Sequence, residues 1–422
     1  MDKRTQELID LTKTKFGLED YYLKRHHFYR NVSIFNDTVY TLCMEWFPNH
    51  SEEVDDDSNP DGTAVIEIKV DNRKFVSAIF VMGKTYAKNG VQFNIQDKEN
   101  IIKWVEQETG FTYGKQFELH REEAGELFFK ECANGISVSP SGIIEVKYND
   151  EGALTMFSHH GPFSSQEKIQ QETYTLSFAK IEHLAKQQLK LMEIPSYEQK
   201  KFIPVYAVEE IYVRNDGTLT IPFEFIVDVR SYLKVGRVIH WDAPINKPFE
   251  RKEINWIEDI TAEQAFSCEP SPDSFPLTEI EMEKCIVAVE EFLRQEYPRD
   301  TGKWNLRTFH RENGYIHATL RADKQDNGIF QRKIKAIIDA KQFHVVNFMD
   351  NQPMLEIYEE FQAQDKIDII KEEAYEKLKS SFELKPYYVY DFELKQYVLC
   401  GKLDCQYGVN ASSGEVMLLD DL

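Results

Sequence analysis

The chain has 422 residues, 42% hydrophobic and 29% charged, a composition that belongs to folded proteins and excludes a disordered polymer. At roughly 100–200 residues per domain, this length implies about two to four domains. Fifty Lys and Arg against 72 Asp and Glu leave a formal charge of −22, which opposes binding to nucleic acid or to an anionic membrane surface.

The first residues, MDKRTQELIDLTKTKF, contain basic groups but no apolar stretch of the kind a secretory signal carries. No apolar run approaches the roughly 18–20 residues of a membrane-spanning helix; the longest, around Phe75–Met82, is strand-sized. Cys43, Cys132, Cys268 and Cys285 stand alone, and Cys400 and Cys405 fall on opposite faces of one predicted strand. With neither a zinc spacing nor a CxxC pair, buried free thiols and a cytoplasmic location are expected.

Along the chain, five amphipathic helices are each followed by strands. The first carries Leu8, Ile9, Leu11 and Phe16 and stops at Gly17. The second places Ile101, Ile102 and Val105 behind Asp97 and closes at Gly110. The third is predicted to be long, with Tyr174, Phe178, Ile181, Ala185, Leu189 and Met192 on one face, Ser164 and Glu167 as its capping box, and Pro195 beyond its end. The fourth starts at Thr278-x-x-Glu281, with Leu277 and Met282 spaced as a hydrophobic staple, and continues through Ile286, Val289 and Leu293. The fifth carries Ile367, Ile370, Ala374 and Leu378.

After each helix comes one strand-like stretch: Thr38–Trp46, Glu126–Cys132, Pro204–Ile211, Gly314–Arg321 and Tyr387–Phe392. A hairpin then follows, turning at Asp71, Asn149, Asp228, Asp339 and Asn410. Asp and Asn suit such tips because their side chains bond the backbone two residues on. The turn spacings of 78, 79, 111 and 71 residues describe a repeat with one insertion between its third and fourth copies. Each copy reads α-β-β-β, its helix covering one face of an antiparallel sheet. Units 2 with 3, and 4 with 5, are expected to pair edge to edge. The insertion, from about Trp241 to Pro276, holds five of the 15 prolines and one short capped helix at Thr261–Phe266.

The endings Val146-Lys147-Tyr148-Asn149-Asp150-Glu151-Gly152 and Val409-Asn410-Ala411-x-x-Gly414-Glu415-Val416 resemble the closing hairpin of PepSY-type domains. Asn134-Gly135-Ile136-x-Val138, followed by Glu145-Val146, resembles the YcdB/YcdC family of Bacillus-type bacteria, which is built of PepSY-like repeats. The resemblance covers roughly residues 97–240 and 279–422, and more weakly 1–82. It implies an α+β fold of tandem α-β-β-β (PepSY/cystatin-like) repeats, with helices packed on antiparallel sheets. The expected organisation is an N-terminal unit over 1–90, paired units over 97–240, a Pro-rich connector over 241–277 and a second pair over 278–422. PepSY-like modules resemble protease propeptides and are thought to bind or restrain proteins, so the resemblance carries no catalytic residue to this chain.

A few local patterns invite a chemical reading. Asp57, Asn59, Asp61 and Gly62 match positions 1, 3, 5 and 6 of a calcium loop, but Ile68 stands where the bidentate Glu belongs, which favours a solvated loop. Gly83-Lys84-Thr85 follows a strand with no helix behind it, unlike a phosphate loop. His26-His27 and His159-His160 are adjacent pairs; neighbours on a strand point to opposite faces, and the second pair is expected in a loop before a helix. No GxSxG, HExxH or GxGxxG pattern occurs.

No catalytic, cofactor-binding or metal-ligating residue is assigned from sequence. The reading is a non-enzymatic protein- or peptide-binding protein, with no nucleic acid or membrane insertion. A hydrolase with a site at the seam between repeats and a self-assembling structural protein stay open as alternatives.

Overall fold

A computed structural model describes residues 1–50, 58–164, 166–222, 233–256, 258–322, 331–363 and 365–422. At four hairpin tips an Asn or Asp side-chain oxygen closes the turn as Asx chemistry dictates. Asn149 accepts from the N–H groups of Glu151 and Ala153, Asp339 from Lys341 and Gln342, and Asn410 from Ser412 and Ser413. At the first tip the acceptor is Asn72 rather than Asp71. The strand Phe225–Val227 and its turn at Asp228 lie outside the described residues. Three tips also share a one-residue register shift, at Glu67/Ile68, Lys147/Tyr148 and Ile337/Ile338.

The fold is α+β, and its described strand ladders are antiparallel. The first repeat comprises α1 (Lys3–Phe16), β1 (Tyr21–Val32), β2 (Thr38–Pro48), β3 (Ala64–Lys69) and β4 (Phe75–Phe80). The second comprises α2 (Lys98–Thr109), β5 (Phe117–Glu123), β6 (Glu126–Ala133), the short β7 (Ile136–Ser139), β8 (Ile143–Tyr148) and β9 (Leu154–His160). The third holds α3 (Phe178–Gln188), β10 (Leu189–Ser196), β11 (Lys201–Val208), β12 (Ile211–Arg214), β13 (Thr220–Pro222) and β14 (Leu233–Ile239). The short helix α4 (Ala262–Phe266) carries the expected capping box between Thr261 and Gln264. The fourth repeat is α5 (Glu279–Glu296), β15 (Trp304–Glu312), β16 (Tyr315–Ala322), β17 (Lys333–Asp339) and β18 (Val345–Asp350), followed by α6 (Gln352–Glu356). The fifth is α7 (Lys371–Leu378), β19 (Glu383–Asp391), β20 (Gln396–Asp404), β21 (Tyr407–Asn410) and β22 (Val416–Leu418).

Each of the five repeat helices is therefore followed by at least four strands, and the expected α-β-β-β unit is corrected to a helix with four strands in the first, fourth and fifth repeats and five in the second and third. In four repeats the strand missed from sequence is the one directly after the helix. β1 and β5 sit at sheet margins and are rich in charged residues, so only part of one face is buried and the apolar alternation is diluted. In the fifth repeat the missed strand is β20.

The long third helix is also corrected. It forms only over Phe178–Gln188, because Asn215 holds the preceding segment extended: its amide accepts from Thr175 N–H and donates to the Thr173 carbonyl. Leu189–Ser196 pairs along its whole length with β11 instead of continuing the helix. Ser164 makes no capping box; it bonds Glu131. In the fifth helix Ile367 and Ile370 are exposed and lie ahead of the first turn, while Ile369 packs on the core.

Two compact units result, Met1–Gln171 with Glu258–Ser274 and Tyr388–Val398, and Glu172–Ile257 with Phe275–Tyr387 and Leu399–Leu422. In the first unit β4 pairs with β9, so repeats 1 and 2 share one sheet in the order β1-β2-β3-β4-β9-β8-β6. Leu8, Ile9 and Phe16 of α1 and Ile101 and Val105 of α2 bury one face of that sheet with Leu42, Met44, Ile66, Ile144 and Phe157. In the second unit β11 pairs with β21 and β12 with β20, so repeats 3 and 5 share a core of Ile181, Ala185, Tyr375, Leu378 and Val409. Repeat 4 has its own core, in which Val289, Phe292 and Leu293 of α5 cover Leu306, Phe309, Ile316 and Ile338. The described pairings thus join 1 with 2, 3 with 5 and, through β14 and β15, 3 with 4, where 2 with 3 and 4 with 5 were expected.

All six cysteines are free thiols; five are buried and Cys268 is exposed. Among the described residues no helix is long and apolar enough to cross a membrane.

Candidate functional site

The sheet of the first unit has its helices on one face, and strand alternation sends every second side chain to the other. Two cross-strand rows run over that second face. One is Tyr29, Thr41 and Lys69. The other is His27, Cys43, Glu67, Ser77, Ser158 and Glu145. Over the first row opens a groove of about 530 Å³, floored by Tyr29, Thr41, Glu67, Lys69 and Val76. That volume falls within the range of small-ligand and peptide-side-chain pockets.

Both ends of the groove are held in place. At one end is the turn between β1 and β2, where the Ser33 hydroxyl accepts from the N–H groups of Phe35 and Asp37. The Phe35 ring packs edge-on against Tyr390 with centroids 5.1 Å apart, and the Lys168 ammonium sits 3.8 Å from its centroid. The other end is His160-Gly161-Pro162-Phe163. There the Phe163 ring stacks on Phe111 at 4.6 Å and 17° and contacts the His159 ring at 4.5 Å. Gly142 makes room for it, since a Cβ at that position would lie 2.3 Å from the Phe163 ring. The chain leading out of β9 is further anchored by Glu131, whose buried carboxylate accepts from Gly142 N–H at 2.9 Å and Ser164 N–H at 2.7 Å.

The electrostatics favour holding a ligand over attacking one. Burial, reinforced by Glu67 and Glu45, pushes the Cys43 thiol up to about 12, so it is no thiolate at neutral pH. Burial likewise lowers His27 and raises Tyr29, leaving both uncharged. Glu67 accepts from the Ser77 hydroxyl at 3.2 Å. Lys69 lines the groove and has no ion pair among the described residues.

Of the residues singled out from sequence, Asp57 lies outside the described residues. Asp61 and Lys84, from the two apparent loop motifs, bond each other at 2.6 Å, and no helix follows Gly83-Lys84-Thr85. His26 and His27 point to opposite faces of β1 as strand geometry requires. His159 and His160 end strand β9 rather than standing in a loop before a helix, and both border the groove. Tyr29, Thr41, Lys69 and Phe163 carry no sequence signature. The alternation Ile66-Glu67-Ile68-Lys69 marks a polar face, but nothing local says which strands flank it.

No protein family matches the chain, and no curated protein matches its sequence. Among solved structures it is similar to the Bacillus megaterium YpeB C-terminal domain, with 7% identity over 83% of this chain and 97% of that one. The TM-score is 0.25, an overlap too loose to argue from, and the resemblance to the YcdB/YcdC family finds no support in these comparisons.

Proposed function

We propose that the first unit is a peptide-binding module whose site is the groove over β1–β4 and β9. The observation that supports this is the open groove itself, with an anchored aromatic ring at each end and the Lys69 ammonium on its floor. Phe35 and Phe163 offer apolar surface at little conformational cost, because each is already fixed by ring contacts. Lys69 supplies a cation for a carboxylate, and Asn31, Ser33 and Thr41 supply partners for main-chain amides. An extended segment with an apolar side chain and a neighbouring Asp, Glu or C-terminal carboxylate meets those requirements. The raised Cys43 thiol and the neutral His27 provide no activated nucleophile there, in keeping with binding.

The test is selection of a displayed random-peptide library on the full chain, followed by titration of an enriched peptide. Lys69→Met and Phe163→Ala are each expected to weaken its affinity about 10-fold while leaving the circular dichroism spectrum unchanged. Failure of any peptide to enrich, or equal affinity in wild type and both variants, would overturn the reading.

A further inference from the structure

Repeat 4, in the other unit, carries a second constellation unrelated to the groove. β15 and β16 are joined by the two-residue turn Asn313-Gly314, with φ of 51° and 76°. Positive φ at both positions is the requirement of a type I′ hairpin, which Asn-Gly meets at low cost. That turn fixes the register, so His310 lies directly across from His317 and Glu312 across from Tyr315. His310 and Glu312 are two apart on one strand and therefore share a face, and His317 joins them from its neighbour. The opposite face of this hairpin carries Phe309, Ile316 and Ala318 into the core under α5.

The three side chains converge. One oxygen of Glu312 lies 3.5 Å from Nε2 of His310 and 3.7 Å from Nε2 of His317. The donor atoms of the three all fall within 4.8 Å of one another, and no other such trio of His, Cys, Asp or Glu occurs among the described residues. Ligands about 2.0–2.2 Å from a tetrahedral zinc ion stand about 3.3–3.6 Å apart; the His310–Glu312 separation of 3.5 Å falls in that range and the His317–Glu312 separation of 3.7 Å just beyond it. The imidazoles are 4% and 1% exposed, whereas Glu312 is 28% exposed and opens the cluster to solvent on one side. His317 is held between parallel rings, with His310 at 4.8 Å and 15° and the Trp256 indole at 6.2 Å and 14°. Lys335, on β17, places its ammonium 3.7 Å from the same Glu312 oxygen.

We infer that His310, Glu312 and His317 form a binding site for a divalent first-row transition-metal ion. Two imidazole nitrogens and a carboxylate oxygen suit Zn²⁺, Co²⁺, Fe²⁺ or Mn²⁺ better than Ca²⁺, and three protein ligands leave further positions for water. Lys335 is the built-in competitor: its ammonium neutralises Glu312 in the metal-free protein and opposes an incoming cation.

Co²⁺ and Zn²⁺ titrations of the full chain test the inference, read by the visible absorption of bound Co²⁺ and by calorimetry. Wild type is expected to bind one ion with a Co²⁺ spectrum of nitrogen and oxygen ligation. Glu312→Gln, a change at the solvent-exposed side of the cluster, is expected to lose affinity about 10-fold or more and to lose that spectrum. Lys335→Met is expected to bind more tightly than wild type, a response that a purely structural histidine pair does not predict. Absence of a Co²⁺ spectrum in wild type, or identical titrations for wild type, Glu312→Gln and Lys335→Met, would overturn it.

Discussion

His159 shows how much a single side chain owes to its surroundings. Its ring lies against Phe111 and Phe163, and burial, helped by the nearby Lys69 charge, pushes its pKa down to about 3. The folded imidazole thus stays neutral where the unfolded one, with its ordinary value near 6.5, takes up a proton. Stability from this group is complete above about pH 6.5 and is lost as the pH falls from there toward 3. Urea unfolding of wild type and His159→Phe at about pH 7 and about pH 4.5 checks this. The variant is expected to gain about 2 kcal/mol on wild type at the lower pH, and parallel pH dependences would refute the assignment. The sequence showed two adjacent histidines and nothing of the rings that meet the first of them. Phe111 and Phe163 come from separate loops, and only the folded chain brings them together.

At the scale of elements, the readable features were those in which a residue acts on near neighbours. The Thr278–Glu281 capping box forms in full, with the Thr278 hydroxyl accepting from Glu281 N–H and the Glu281 carboxylate accepting from Thr278 N–H. Arg311 on β15 adds an ion pair to the same carboxylate at 2.6 Å, which ties the cap to the sheet. Thr278→Ala is expected to cost about 1 kcal/mol and to speed amide exchange in the first turn of α5, with the rest of the helix unaffected. The Asx-closed hairpin tips were readable for the same reason. The failures have one cause too: β1, β5 and β10 are strands only because a neighbouring strand supplies their hydrogen bonds. In β10, side-chain spacing compatible with a helix was overruled by an eight-residue ladder to β11.

For the molecule as a whole, a formal charge of −22 acts against compaction in both units. Many ion pairs among the described residues are solvent-exposed, such as Lys84–Asp61 and Lys98–Glu122, and contribute little individually. Screening should therefore relieve more repulsion than it removes attraction. Raising the salt from about 0.01 M to about 0.15 M, which shortens the Debye length from about 30 Å to about 8 Å, is expected to raise the urea midpoint. A fall would mean that the surface pairs outweigh the net charge. By itself the sequence determined the α+β class, the approximate repeat period, the capping boxes at Thr261 and Thr278 and the hairpin tips at Asn149, Asp339 and Asn410; the caps and tips arise from interactions between residues a few positions apart. It also held the register of the His310–His317 hairpin, because an Asn-Gly turn sets which residues face each other. Tertiary structure alone decided that repeat 1 pairs with 2 and repeat 3 with 5, and that Tyr29, Thr41 and Lys69 line one groove with Phe163. Strand edges carry the same backbone donors and acceptors in every repeat. The choice among them is made by how well distant apolar faces fit one another, and that fit has no signature along the chain.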